Sequence, residues 1–203
     1  MIYDLTRPLE TGMEYFPGDP VPSFTTLFHD TYRITEIKIG SHTGTHLDAP
    51  AHYLENGTTI ERIPLDALIG TCFILELDDA PIYEAQLHPF EKEIISSTRL
   101  LICAGKNAGL MPCAAEWLAS RCTCIGIDSL SISCFGYDAQ VHTTLMQADV
   151  LILEGLHFSV PLHGRHILIA LPLLLAGADG APARVLVCDP EYLTDVCRQS
   201  TIT

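Results

Sequence analysis

Apolar and β-branched residues along this chain fall in short dense runs rather than at the spacing of long amphipathic helices. The runs Ile2 to Leu5, Ile34 to Ile39, Thr71 to Leu77, Leu100 to Cys103, Thr123 to Ile127, Val150 to Leu153, Ile167 to Leu171 and Val185 to Val187 have strand length. Between them, Tyr83 to Ile95, Cys113 to Ser120 and Asp138 to Ala148 read as helices. The last opens on Asp138 as an N-cap and lines Val141, Leu145 and Ala148 along one face. Strands interleaved with helices predict an α/β fold of the mixed α+β kind. Composition is even and free of repeats or linkers, so one domain over residues 1–203 is expected. The proline-rich stretch Phe16-Pro17-Gly18-Asp19-Pro20-Val21-Pro22 predicts a rigid loop between two early strands.

Charge narrows the partners. With 25 acidic side chains against 11 lysines and arginines, the formal net charge is -14. Such a field opposes binding to a phosphate backbone or an anionic membrane surface, so neither nucleic acid nor membrane is expected. The apolar stretch Ile167 to Ala178 is interrupted by Pro172 and closed by Asp179. It falls well short of the roughly 20 residues that a membrane span needs and reads as a buried strand with its loop. Asp4, Arg7 and Glu10 stand where a signal peptide would need an apolar run. A cytoplasmic protein is expected. The eight cysteines (72, 103, 113, 122, 124, 134, 188 and 197) sit mostly in apolar surroundings and read as free buried thiols of a reducing compartment. Cys122 and Cys124 are one residue apart, not a CxxC pair, which weakens zinc-ribbon and redox readings.

The chemistry concentrates in Ser41-His42-Thr43-Gly44-Thr45-His46-Leu47-Asp48-Ala49-Pro50-Ala51-His52. His42 and His46 have the spacing of a helical zinc pair, but Thr43, Gly44, Thr45 and Pro50 disfavour a helix. On a straight strand the two would stand about 13 Å apart, too far to share an ion. The chain must therefore bend, with Gly44 free to take backbone angles closed to other residues. Two imidazoles and a carboxylate are the usual ligands of a catalytic zinc or manganese ion that keeps positions open for water and substrate. His42, His46 and Asp48 are the expected ligands. Thr43 and Thr45 either orient those ligands or merely stiffen the loop. His142, inside the last helix, and Glu154, after a strand, become candidates for a second ion only beside this first cluster. His157, His163 and His166 read as a solvated loop, His29 and His88 lack ligand partners nearby, and Trp117 reads as a packing anchor.

The segment from His42 to His52 resembles, without a mismatch, the HxGTHxDxPxH signature of the cyclase family of metal-dependent hydrolases, which includes kynurenine formamidase and isatin hydrolase. Phe16-Pro-Gly-Asp-Pro, Gly126-Ile-Asp128, His142 with Glu154, Ile169-Ala-Leu-Pro-Leu and Asp179-Gly-Ala-Pro-Ala-Arg184 extend the resemblance over nearly the whole chain. It implies a central mixed β-structure flanked by helices, assembled as a homodimer or higher oligomer such as a tetramer. It further implies one ion on His42, His46 and Asp48, with Asp48 bridging to a second on His142 and Glu154. Zinc is the expected metal and manganese the alternative. His52 would be the acid/base residue, and Phe16 would stand against the ring of a small aromatic amide. The implied activity is that of an arylformamidase of tryptophan catabolism. Opening of a cyclic amide or another small carbonyl substrate is the alternative, and a noncatalytic module held together by its ions is the reading outside the enzymes.

Overall fold

The computed structural model describes residues 1–192. Its strands are β1 (Ile2–Asp4), β2 (Ser23–Phe28), β3 (Arg33–Lys38), β4 (His46–Asp48), β5 (Ile69–Glu76), β6 (Pro81–Ile82), β7 (Arg99–Cys103), β8 (Gly109–Leu110), β9 (Cys124–Ile127), β10 (Leu151–Glu154), β11 (Gly164–Pro172) and β12 (Gly180–Cys188). The helices are α1 (Leu65–Leu68), α2 (Glu84–Leu87), α3 (Glu91–Ser97), α4 (Pro112–Ala119) and α5 (Asp138–Gln147). The main sheet runs β1-β12-β11-β5-β7-β9-β10-β4, and β4 pairs again with β12. Seven strands thereby close into a mixed barrel. β5, β7, β9 and β10 are mutually parallel, while β11, β12 and β4 complete the ring by antiparallel ladders.

The parallel strands are apolar on both faces, which is why they read as continuous hydrophobic runs. Phe73, Leu75, Leu100, Ile102, Ile125 and Ile152 point outward and pack under Leu87, Ile94, Leu118, Val141 and Leu145 of the helices. Cys72, Ile74, Leu101, Cys124, Leu151 and Leu153 point inward to meet Leu47, Leu168, Val185 and Val187 inside the barrel. Alternation along each strand sorts the two sets. Among the described residues the β2–β3 ribbon pairs only with itself and leaves Leu27, Phe28, Ile34 and Ile37 exposed.

Several expectations need correcting. The helix expected over Tyr83 to Ile95 is broken into α2, a 3₁₀ turn at His88–Phe90 and α3, because Pro89 can neither donate nor tolerate the preceding turn. Asp138 is the first helical residue rather than the cap; Tyr137 takes the cap position without a side-chain bond. The Asp138 carboxylate instead accepts the hydroxyls of Ser131 and Ser133. His166 is no loop residue. Pairing with β5 extends β11 back to Gly164, and alternation buries His166 on the side of Leu168 and Ala170. The end of the Ile167 to Ala178 stretch is exposed at Leu171, Leu173, Leu174 and Leu175. The seven described cysteines are free, and Cys197 lies outside the described residues.

Candidate metal centre

β4 and the turns around it carry most of the chemistry. Gly44 has φ +71°, and a Cβ there would sit 2.4 Å from Leu9 Cδ2, so the bend between His42 and His46 requires glycine. Alternation then sends Leu47 into the barrel core and leaves His46 and Asp48 on the opposite face. Pro50 opens a 3₁₀ turn that carries His52 to the same side of the molecule. Glu154 closes β10 directly opposite His46 in the ladder, and His142 projects from the buried face of α5. Thr43 and Thr45 tie backbone rather than ligands: Thr43 Oγ1 accepts the Gly40 N–H, and Thr45 Oγ1 donates to the Gly155 carbonyl.

Asp48 is the hub. Its Oδ1 lies 2.7 Å from His42 Nδ1 and 3.2 Å from His46 Nε2, and its Oδ2 lies 3.6 Å from His142 Nε2. Glu154 reaches both sides, with Oε2 3.4 Å from His46 Nε2 and Oε1 3.1 Å from His142 Nε2. Among the described residues two groups bring their ligand atoms within 4.8 Å of one another: His46 with Asp48 and Glu154, and His42 with Asp48 and His52. His42, His46, His142 and Glu154 all approach Asp48, but these groups set His42 with His52 rather than with His46 and leave His142 out.

The donor set fits a divalent cation. His46 Nδ1 donates to the Gly44 carbonyl at 2.9 Å and His142 Nδ1 to the Asp138 carbonyl at 2.7 Å, so in each ring Nε2 is the nitrogen left for a ligand. Among the described residues His46 Nε2 and Asp48 Oδ2 are buried with no hydrogen-bond partner. The charged atoms nearest to them are too distant or too poorly aligned for a hydrogen bond. An orphaned buried polar atom costs about 1–3 kcal/mol, and a cation between these atoms would remove that cost.

The fields point the same way. Burial pushes the His46 imidazole pKa down, but Asp48 and Glu154 outweigh it and hold it well above the ordinary value. Burial likewise opposes charge on His142, and Glu154 and Asp48 raise its pKa to about 9. The two carboxylates stay below their usual range despite desolvation because imidazoles face them. His52 differs: desolvation lowers its pKa, only partly offset by the nearby carboxylates, so it stands neutral near pH 7.

The cluster floors an open cleft of roughly 490 Å³ counting its mouth. Phe16 and Asp19 of the proline-rich loop stand on one wall, and Leu130, Ser131 and Asp138 on another. Sequence reasoning missed two neighbours. Tyr53 stacks on His142 with centroids 4.6 Å apart and meets His52 edge-on, also at 4.6 Å. Its only signal was adjacency to His52. Asp179 lies 3.0 Å from His42 and 3.2 Å from His52, across 137 and 127 residues of chain, which no local spacing could disclose.

A family model described as "Putative cyclase" matches residues 3–133. Kynurenine formamidase of Bordetella petrii is 30% identical over 92% of this chain and 97% of its own length. A solved structure described as a predicted metal-dependent hydrolase from Bacillus stearothermophilus is 33% identical over 92% of this chain and 97% of that one, with a TM-score of 0.80. Isatin hydrolase A of Labrenzia aggregata shares the fold at a TM-score of 0.79 and 20% identity, over 92% of this chain and 93% of that one.

Proposed function

Because the chain belongs to the cyclase family, we propose that it is a metal-dependent amidohydrolase that cleaves an N-formyl arylamine, N-formylkynurenine or a similar small aryl amide, as an arylformamidase does. The observation that carries this reading is the convergence of His46 Nε2 and Asp48 Oδ2, buried and unpartnered, on the floor of a cleft whose side holds a neutral imidazole. His42, His46 and Asp48 would hold one divalent ion, and Asp48, His142 and Glu154 a second. Zinc suits the imidazole-rich set, and manganese is the alternative. What such an ion supplies when bound is Lewis acidity, which lowers the pKa of a ligated water to about 7.

The chain's own residues do the rest. His52 takes the proton from the attacking water and returns it to the departing amine nitrogen, a transfer suited to an imidazole that is neutral at the working pH. Phe16 and Tyr53 offer apolar faces to an aryl ring beside the histidines. Because Phe16 is exposed on its outer side, the ring is held more by stacking than by enclosure. The same reading takes residues 1–203 as one such domain, in the cytoplasm, assembled as a dimer or tetramer. In the described residues no helix is long and apolar enough to cross a membrane.

Elemental analysis of protein purified without added metal, beside a hydrolysis screen of N-formylkynurenine, isatin, lactams and esters, tests the assignment. Bound zinc or manganese with chelator-sensitive amide cleavage is expected. A metal-loaded protein inert toward every substrate would leave a noncatalytic module in its place.

A further inference from the structure

Asp179 stands where the two rim imidazoles meet. Its Oδ2 lies 3.0 Å from His42 Nε2 and 3.2 Å from His52 Nδ1, while Oδ1 accepts the Ser41 hydroxyl at 2.9 Å. The two rings lie against each other, with centroids 3.9 Å apart and planes 32° from parallel. An ionised carboxylate can only accept, so each ring nitrogen that faces it carries its proton. In a neutral His52 this leaves Nε2 bare. His42 faces carboxylates with both nitrogens, so without an ion Nδ1 also donates, to Asp48 Oδ1 at 2.7 Å, and it is this proton that a cation shared with Asp48 would displace.

The backbone places this carboxylate firmly. The Asp179 carbonyl accepts the Ala49 N–H at 2.9 Å, and the next residue, Gly180, pairs with Asp48 in the β4–β12 ladder. A Cβ on Gly180 would stand 2.7 Å from His42 Cε1 and 2.9 Å from the Leu47 carbonyl oxygen, so glycine lets the His42 ring lie against β12 within reach of Asp179. A residue far away in sequence is thereby delivered to the edge of His42 opposite Asp48 and to Nδ1 of His52.

We propose that Asp179 is a positioning residue that serves ligand and acid/base group at once: through one oxygen it holds His42 with Nδ1 toward the ion and His52 with Nε2 free as the proton acceptor. The inference rests on the reading of His42 as a ligand and His52 as the acid/base residue. Carboxylates behind ligating imidazoles are worth about 10- to 100-fold in metal affinity, and a correctly held general base about 10²-fold or more in rate.

Asp179→Asn and Asp179→Ala, each alone and combined with His52→Ala, separate the two roles. Zinc titrated into metal-free protein reports the His42 arm: affinity falls about 10- to 100-fold in Asp179→Ala, and less in Asp179→Asn, whose carbonyl still accepts. N-formylkynurenine turnover at saturating zinc reports the His52 arm: kcat falls about 10²-fold in Asp179→Ala with KM within about threefold. In the His52→Ala background the same substitution costs less than about threefold, because the group it positions is gone. Asn keeps the shape of the side chain, so Asp179→Asn with wild-type thermal unfolding and a partial loss rules out simple misfolding. Unchanged zinc affinity and unchanged kcat in Asp179→Ala would overturn the inference while leaving the hydrolase reading intact. So would an equal loss in kcat with and without His52. A fully active His52→Ala would instead overturn the role of His52 and the base arm with it, and zinc affinity would still decide the ligand arm.

Discussion

The floor of the site and its rim are built differently. The side chains of His46, Asp48, His142 and Glu154 are at most 7% exposed, whereas those of His42, His52 and Asp179 are 15%, 28% and 42% exposed. On the floor every polar atom is taken out of water and must find a partner or an ion. At the rim each group keeps a solvent side, through which protons and substrate can pass. The floor, with His42 reaching it from the rim, is therefore suited to holding a cation, and His52 and Asp179 to working beside it.

Substitutions can break that division. The largest effect is expected from Asp48→Ala, which removes the oxygen shared by both halves of the floor: metal content and activity are lost together, by about 10³–10⁴-fold in turnover, given the several kcal/mol that metal catalysis contributes. His52→Ala should keep its metal and lose about 10²-fold or more in kcat, as expected for removal of a general base at the rim. Elemental analysis beside turnover checks both; equal metal loss in the two variants would erase the distinction between floor and rim. Chelation should lower the melting temperature. At a free ion concentration of about 100 times Kd the bound state gains about 2.7 kcal/mol, or roughly 5–10 °C for a domain of this size, and differential scanning calorimetry with and without chelator reads it directly. Phe16→Ala should be mildest. It is expected to raise KM about three- to tenfold with kcat and metal content unchanged, the worth of one exposed stacking contact.

The legibility of the chain followed burial and locality. β5, β7, β9 and β10 were readable because strands covered on both faces must be apolar at every position. β4 was not, for its three residues are polar, apolar and polar, and it is a strand only because β10 and β12 pair with it on either side. β2 escaped as well, because Thr25 and Thr26 interrupt its apolar residues and it is a strand through its pairing with β3. Within the site, the His42 to His52 segment announced itself because its donors are close in sequence and the glycine between them forces the bend. His142 and Glu154 stood out only beside that segment and through the family resemblance.

By itself the sequence determined which side chains can ligate a cation, where the chain must bend, and which stretches had to be buried, since donor chemistry, glycine conformation and hydropathy act over a few residues. The closure of β4 against β12 was decided only in three dimensions, because a ladder is a contract between strands 132 residues apart, as in the pairing of Asp48 with Gly180. That closure brings Asp179 to two imidazoles, sets Tyr53 against His142, and turns a string of histidines into a floor and a rim.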